Sequence, residues 1–148
     1  MANIYLVVGS VTGTALGVAE VLKQVIEVAG HSVVLDEHAS LATLNSQSWD
    51  AVLICTSSTG KGEIPNNLMP FYNELANGAS LLAKMKFGVI ALGNSSYANF
   101  CGAANLMEQR FFELQALCPV PKVTIDATET TTPERDAKFW LKEFLAAL

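Results

Sequence analysis

Short apolar runs alternate with helical patterns along this chain, and the alternation limits its possible folds more than any other feature. The runs are β-branched or aromatic, and most are apolar at successive positions, which is typical of strands buried on both faces of a parallel sheet. They lie at residues 5–8, 33–35, 51–55, 87–92 and 123–125. The pattern predicts an α/β fold, with a doubly wound, five-stranded parallel sheet and helices on both faces.

Apolar residues at three- and four-residue spacing mark the helices between these runs. The spacing predicts helices at residues 16–29, 68–75 and 103–117, and about one turn of helix within residues 39–48. Gly30 supplies a stop signal for the first helix. In the helix over residues 103–117, we expect Leu106, Phe111 and Leu114 near one face.

The last helix is the best marked one. Thr132 can cap it, and Pro133 fits its first helical position. Its expected apolar face, with Trp140 at the edge, consists of Phe139, Leu141, Phe144 and Leu145.

Composition argues against several classes of function. With 148 residues, 51% of them hydrophobic, the chain suffices for one compact domain, which we expect to span residues 1–148. Nine basic residues and a net charge of -5 argue against nucleic acid as a partner. No apolar stretch approaches the ~20 residues that span a bilayer, and the N-terminus reads as a strand and not as a secretion signal. Three cysteines without CxxC spacing predict neither disulfides nor a zinc site.

Three polar loops follow the first, third and fourth predicted strands. Ligands of doubly wound sheets bind at the carboxyl ends of the strands, near the point where the strand order reverses. The sequence therefore predicts that these three loops carry the function.

The first loop, GSVTGTA at residues 9–15, leads into a helix. Ser10, Thr12 and Thr14 offer hydroxyl groups, Gly13 lets the backbone turn, and the helix N-terminus presents N–H groups. The loop has no Lys or Arg and matches neither GxxxxGK[ST] nor GxGxxG, which disfavours nucleoside triphosphates and dinucleotides. A phosphate monoester fits the loop, and so does a plain helix cap with additional hydroxyls.

The middle loop, TSSTGKGEIPNN at residues 56–67, has two interpretations. Gly60 and Gly62 allow backbone conformations that other residues resist, so a peptide could flip there at modest cost. Equally, the segment is a long connection that Pro65 closes at the start of a helix.

The last loop, ALGNSSYANFCG at residues 91–102, carries the aromatic side chains. Tyr97 lies among small polar residues and not on a periodic apolar face, which favours a stacking platform for a flat ring over a core position. Phe100 fits either role. Cys101 is expected to pack as a small hydrophobe, since no His or basic residue lies nearby in sequence to activate it.

Taken together, these loops resemble those of the flavodoxin family, and the resemblance covers almost the whole chain. Residues 10–15, SVTGTA, resemble the family's FMN phosphate loop in the form also seen in diflavin reductases. Residues 92–102, LGNSSYANFCG, resemble its second flavin loop, in which the tyrosine stacks on the isoalloxazine. The resemblance is to the short-chain bacterial flavodoxin-like proteins, and it implies three layers and the strand order 2-1-3-4-5.

The resemblance also implies the cofactor and its contacts. The cofactor is FMN, bound non-covalently, with neither a catalytic residue nor a metal ligand. Asp126 aligns with an acidic residue found near the flavin in diflavin reductases, although a solvated strand end explains it equally well. The implied cofactor-binding residues are Ser10, Val11, Thr12, Gly13, Thr14, Ala15, Ser57, Ser58, Thr59, Gly60, Lys61, Gly62, Leu92, Gly93, Asn94, Ser95, Tyr97, Asn99, Phe100, Cys101 and Asp126.

Two positions depart from the family pattern. Thr59 stands where many relatives have Trp, Tyr or His, which leaves Tyr97 as the expected stacking residue and predicts weaker retention of FMN. Asn94 stands where many flavodoxins have Asp. Because like charges repel strongly in a low-dielectric site, a neutral Asn94 with Lys61 nearby predicts a second reduction step at a less negative potential than in acidic relatives.

The implied function is that of a low-potential electron carrier that shuttles single electrons. The resemblance implies a cytoplasmic monomer, with an NADPH-dependent flavodoxin/ferredoxin reductase as donor and unidentified enzymes as acceptors. One alternative is an NAD(P)H-dependent FMN quinone reductase, which needs a second pocket over the flavin. The other alternative is a flavin-free interaction module that keeps only the fold.

Overall fold

Five parallel strands form one sheet in the order β2-β1-β3-β4-β5, which confirms the predicted order. The structure is a computed structural model and describes residues 1–78 and 80–148. Each predicted apolar run lies within a strand, and most of the strands extend one or two residues further than predicted at each end. They are β1 (Asn3–Gly9), β2 (Ser32–Asp36), β3 (Ala51–Thr56), β4 (Lys86–Gly93) and β5 (Val123–Asp126).

Helices cover both faces of the sheet and complete the three predicted layers. They are α1 (Thr14–Val28), α2 (Leu41–Asn45), α3 (Met69–Gly78), α4 (Gly102–Glu113) and α5 (Pro133–Ala146). Alternate residues of β1 separate the two cores: Ile4 and Leu6 pack with α1 and α5, whereas Tyr5 packs with α3 and α4. All six residues of β3 are buried, as expected of a central strand with helices on both sides.

The prediction for α4 was wrong at its C-terminus and for Leu106, whereas Phe111 is buried as predicted and Leu114 is partly buried against the same core. The helix ends at Glu113 because Gln115 adopts a left-handed backbone with φ of 66°. The N–H of Ala116 then donates to the carbonyl of Phe111 at 3.1 Å, which closes the helix end. Leu106 is 38% exposed. The buried face consists of Ala103, Ala104, Met107 and Phe111.

The predicted face of α5 was right for Leu141 and Phe144, which are buried, and wrong for Phe139 and for the edge position of Trp140. Phe139 is 75% exposed, whereas Trp140 is 7% exposed and donates its Nε1 hydrogen to the carbonyl of Pro121 at 2.8 Å. The buried residues recur at the spacing of one helical face, at Ala137, Trp140, Leu141 and Phe144. Pro133 opens the helix as predicted, but the side chain of Thr132 makes no capping hydrogen bond.

Among residues 1–78 and 80–148, no helix is both long enough and apolar enough to cross a bilayer.

Gly88 is the point where α5 approaches the sheet most tightly. A Cβ at this position of β4 would lie 2.6 Å from Trp140 and 2.7 Å from Phe144. These two rings stack with their centroids 5.3 Å apart. The missing side chain therefore lets the two aromatic rings lie directly on the strand.

We expect Gly88→Ala to destabilise the fold by about 1–3 kcal/mol, because the added methyl overpacks a closed core. Urea unfolding measures this change. Gly17→Ala in α1 is the matched control: its Cβ meets no heavy atom within 4 Å, and alanine should raise stability by about 0.5–1 kcal/mol. Equal unfolding midpoints for Gly88→Ala and the native chain would contradict the packing described here.

Candidate functional site

A cavity of about 470 Å³ opens where the loops after β1, β3 and β4 meet, and the start of α5 closes one side of it. Its volume falls within the ~300–1,000 Å³ that is typical of small-molecule sites. None of the residues that line it is charged. The predicted site residues that line it are Val11, Thr12, Thr14, Ser57, Ser58, Thr59, Gly60, Leu92, Gly93, Asn94, Tyr97, Asn99, Phe100 and Cys101.

The remaining predicted residues belong to the same loops or to the strand end beside them, but they do not line the cavity. They are Ser10, Gly13, Ala15, Lys61, Gly62, Ser95 and Asp126. Five further residues line the cavity and were not predicted from the sequence: Ala98, Ile125, Ala127, Thr130 and Pro133. All of them except Ala98 lie between the end of β5 and the start of α5, which the fold brings to the same edge of the sheet as the three loops.

The first loop presents its polar groups at the N-terminus of α1. Gly13 is the N-cap residue and has a left-handed backbone with φ of 93°. The Oγ of Ser10 accepts a hydrogen bond from the N–H of Gly13 at 2.8 Å and so closes the turn. Thr12 and Thr14 are exposed on the cavity side, next to the N–H groups of the first helical turn. A helix N-terminus of this kind attracts an anion without a charged side chain.

The middle loop is closed by hydrogen bonds of Thr59. Its N–H donates to the carbonyl of Glu63 and its Oγ1 accepts from the N–H of Glu63, both at 3.0 Å. The N–H of Gly62 also donates to the carbonyl of Thr59 at 2.9 Å. Gly60 is exposed at the tip of this turn, with open space around the position of a Cβ.

The middle and last loops are fastened to each other by three contacts. The Nδ2 of Asn99 donates to the carbonyl of Lys61 at 3.1 Å. The Oγ of Ser58 accepts from the N–H of Ala103 at 3.0 Å, and so caps α4 from the middle loop. The backbones of Gly102 and Gly62 also approach closely, since a Cβ on Gly102 would lie 2.5 Å from the carbonyl oxygen of Gly62. We call these three contacts the loop clamp.

The last loop provides the aromatic wall. Tyr97 and Phe100 are the aromatic residues that line the cavity, and Tyr97 remains 60% exposed. The N–H of Tyr97 donates to the carbonyl of Asn94 at 3.1 Å, and the Oδ1 of Asn94 accepts from the N–H of Ser96 at 2.9 Å. The resulting turn presents an uncovered ring at the mouth of the cavity, which suits stacking on a flat ligand.

Cys101 is buried and remains a thiol at neutral pH. Burial, assisted by the negative charge of Asp126, raises the pKa of Cys101 to about 11. The side chain packs against Gly93, where a Cβ would lie 2.9 Å from the sulfur. Because the thiolate is the reactive form, this environment agrees with a packing role and not with that of a nucleophile.

Asp126 ties the last loop to the end of β5. Its Oδ1 accepts from the N–H of Ser95 at 3.1 Å and from the N–H of Thr128 at 3.0 Å. The side-chain hydroxyl of Ser95 contributes most to lowering the pKa of Asp126 to about 2, and the backbone hydrogen bonds from Thr128 and Ser95 lower it further. The carboxylate therefore organises the loop from outside the cavity.

A model of the flavodoxin family matches residues 6–140. The chain belongs to the flavodoxin family. It is 41% identical over 141 residues to an uncharacterized protein of Pseudomonas aeruginosa, across 95% of this chain and 94% of that protein. It is 31% identical over 144 residues to flavodoxin YqcA of Escherichia coli, across 97% of both proteins. The structure matches that of the C101S mutant of flavodoxin from Pseudomonas aeruginosa with a TM-score of 0.93, at 39% identity and over 99% of this chain and 98% of that one.

Flavodoxins bind FMN and transfer electrons, so the chain is an FMN-binding electron carrier. The residues present fit this cofactor. A helix N-terminus with hydroxyl groups suits the phosphate, an uncharged cavity suits the neutral ring system, and an exposed tyrosine provides a stacking surface.

The loop clamp predicts that Gly102→Ala weakens FMN binding about tenfold or more. The added methyl would meet the carbonyl oxygen of Gly62 at 2.5 Å and push the two flavin loops apart. Fluorescence titration of the apoprotein with oxidised FMN measures the affinity. Gly17→Ala, whose methyl enters open space outside the cavity lining, is the control and should bind as the native chain does. Unchanged affinity in Gly102→Ala would show that the contact does not shape the site.

The lowered pKa of Asp126 predicts a pH-dependent loss of stability in Asp126→Asn. A carboxylate with a folded pKa of about 2 and an unfolded pKa of about 3.9 stabilises the fold fully above the unfolded value. That contribution is lost as pH falls through the folded value. The native chain should therefore exceed the variant in unfolding free energy above about pH 4, and the difference should vanish towards about pH 2. A difference in unfolding free energy that stays constant over this pH range would contradict a stabilising role of the ionised Asp126 carboxylate.

Proposed function

We propose that the chain is a low-potential carrier of single electrons, taken from an NADPH-dependent flavodoxin/ferredoxin reductase and passed to acceptor enzymes of the cytoplasm. The observation that carries this proposal is one uncharged cavity with an exposed tyrosine at its mouth. Two further cavities, of about 450 and 330 Å³, share no lining residue with it. This separation favours a carrier that exposes its cofactor edge over a reductase with an adjoining substrate pocket.

We assign the parts of FMN to the three loops. The phosphate is bound by residues 10–15 through hydroxyl and backbone N–H groups, and the ring stacks on Tyr97. The edge of the ring faces residues 57–62, where Gly60 is exposed and sterically unrestricted. The bound flavin supplies the electron-transfer chemistry, while the chain orients it and sets the charge around it.

We propose further that the carrier acts as a monomer in transient complexes. Electron-transfer complexes are small, and charge often steers their formation. With a net charge of -5, the chain favours partners that present basic docking surfaces.

An absorption spectrum with and without added FMN, followed by anaerobic photoreduction, tests the proposal. We expect uptake of FMN and reduction in two separate one-electron steps. A single two-electron step, together with turnover of NADH and a quinone in the absence of any reductase, would favour the quinone reductase. A chain that takes up no FMN would contradict both and leave an interaction module.

We expect Asn94→Asp to shift the second reduction step to a more negative potential, by the order of 59 mV if the new charge costs about 1.4 kcal/mol. Aspartate keeps the oxygen that accepts from Ser96, so the change is mainly one of charge. Potentiometric titration measures both steps. Asn73→Asp adds the same charge on the exposed surface of α3, away from the cavity lining, and is the control. Equal shifts in the two variants would refute a local effect of Asn94.

A further inference from the structure

The side chain of Asn67 joins three separate parts of the backbone. Its Nδ2 donates to the carbonyls of Val8 and Glu37, each at 2.8 Å, and its Oδ1 accepts from the N–H of Ser10 at 3.1 Å. Val8 lies near the end of β1, and Glu37 directly follows β2. Asn67 itself precedes α3, so one half-buried amide connects the loops that follow β1, β2 and β3.

From Ser10 the connection continues to the start of α1. The backbone N–H of Ser10 is held by Asn67, and the Oγ of Ser10 holds the N–H of Gly13 at 2.8 Å. Gly13 is the N-cap residue of α1, so its orientation determines where the N–H groups of the first turn point. Asn67 is thus two hydrogen bonds away from the anion-binding end of the helix.

The orientation of these N–H groups matters because the loop has no cation. Residues 9–15 include no Lys or Arg, and no charged residue lines the cavity. A phosphate here depends on dipoles, whose contribution falls when they point away from the anion. A long charged side chain could still reach the phosphate from a displaced loop. Backbone N–H groups cannot, because they move away together with the loop.

Only an amide side chain can make the observed set of bonds. Asn67 uses two donor hydrogens and one acceptor oxygen, a combination that a carboxylate or an aliphatic side chain does not offer. The neighbouring Asn66 is exposed, and its side chain takes part in none of the hydrogen bonds found in the described residues. Asn66 is therefore a matched control for substitutions of Asn67.

We propose that Asn67 is a positioning residue for the phosphate of FMN. It lies outside the cavity lining and acts through Ser10 and Gly13, which fix the direction of the N–H groups at the start of α1. The inference rests on the proposed assignment of residues 10–15 as the phosphate loop. It predicts that loss of the amide weakens the binding of a flavin with a phosphate much more than the binding of a flavin without one.

The test compares FMN with riboflavin, which has the same ring system but no phosphate. Apoproteins of the native chain, Asn67→Ala and Asn66→Ala are titrated with both flavins and followed by flavin fluorescence. In Asn67→Ala we expect the dissociation constant for FMN to rise about tenfold or more, and that for riboflavin to change by less than about twofold. Asn66→Ala should keep the native preference for FMN.

Each outcome bears on the proposal in a different way. Equal weakening of both flavins in Asn67→Ala would show a general structural role and overturn the positioning role, as would an unchanged preference for FMN. A native chain that binds FMN and riboflavin equally would refute the phosphate-loop assignment itself. Circular dichroism establishes that each variant folds. If Asn67→Ala does not, Asn67→Ser, which keeps a small hydroxyl side chain, is judged by the same ratio of the two affinities.

Discussion

The parallel pairing of β1 with β3 is the constraint on which the site depends. The two strands stay in register from Ile4 beside Ala51 to Gly9 beside Thr56, so both end at the same height. One further hydrogen bond, from the N–H of Ser57 to the carbonyl of Gly9 at 2.9 Å, extends the pairing into the loops. Because β2 lies on the other side of β1, the connections from the two strands diverge and leave a crevice between them. The cavity occupies the position that this topology creates.

The absence of charge from the cavity lining is the main chemical property of the site. Hydroxyls, backbone groups and apolar side chains form the wall, while Lys61 and Asp126 lie outside it. Charge that forms on a bound flavin is therefore stabilised or opposed by dipoles and by more distant charges. A single substitution that adds a charge to the cavity wall can change this electrostatic stabilisation.

The sequence was sufficient to predict the sheet and the three loops, because each depends on local patterns. Buried strands need continuous apolar runs, and the loops carry short motifs. The faces of α4 and α5 were harder to predict. Phe139 and Trp140 are adjacent large aromatics, and only the packing of α5 on Gly88 determines which of them is buried. The hydrogen bonds of Asp126 and Asn67 join residues 30 to 59 positions apart, except for the local bond between Asp126 and Thr128. No spacing in the sequence encodes them.

The last loop shows how such long-range ties maintain an unfavourable local conformation. Asn99 and Cys101 both have positive φ, at 54° and 57°, a region that costs a residue with a side chain about 1–2 kcal/mol. The loop clamp and the hydrogen bond from the N–H of Ser95 to the carboxylate of Asp126 hold this backbone from two sides. All of these bonds are made between groups of the protein itself, and they restrain the loop in this conformation. Preorganisation of this kind lowers the entropy lost on binding. It offers a physical reason why a cavity whose aromatic lining residues are Tyr97 and Phe100 can hold a flavin.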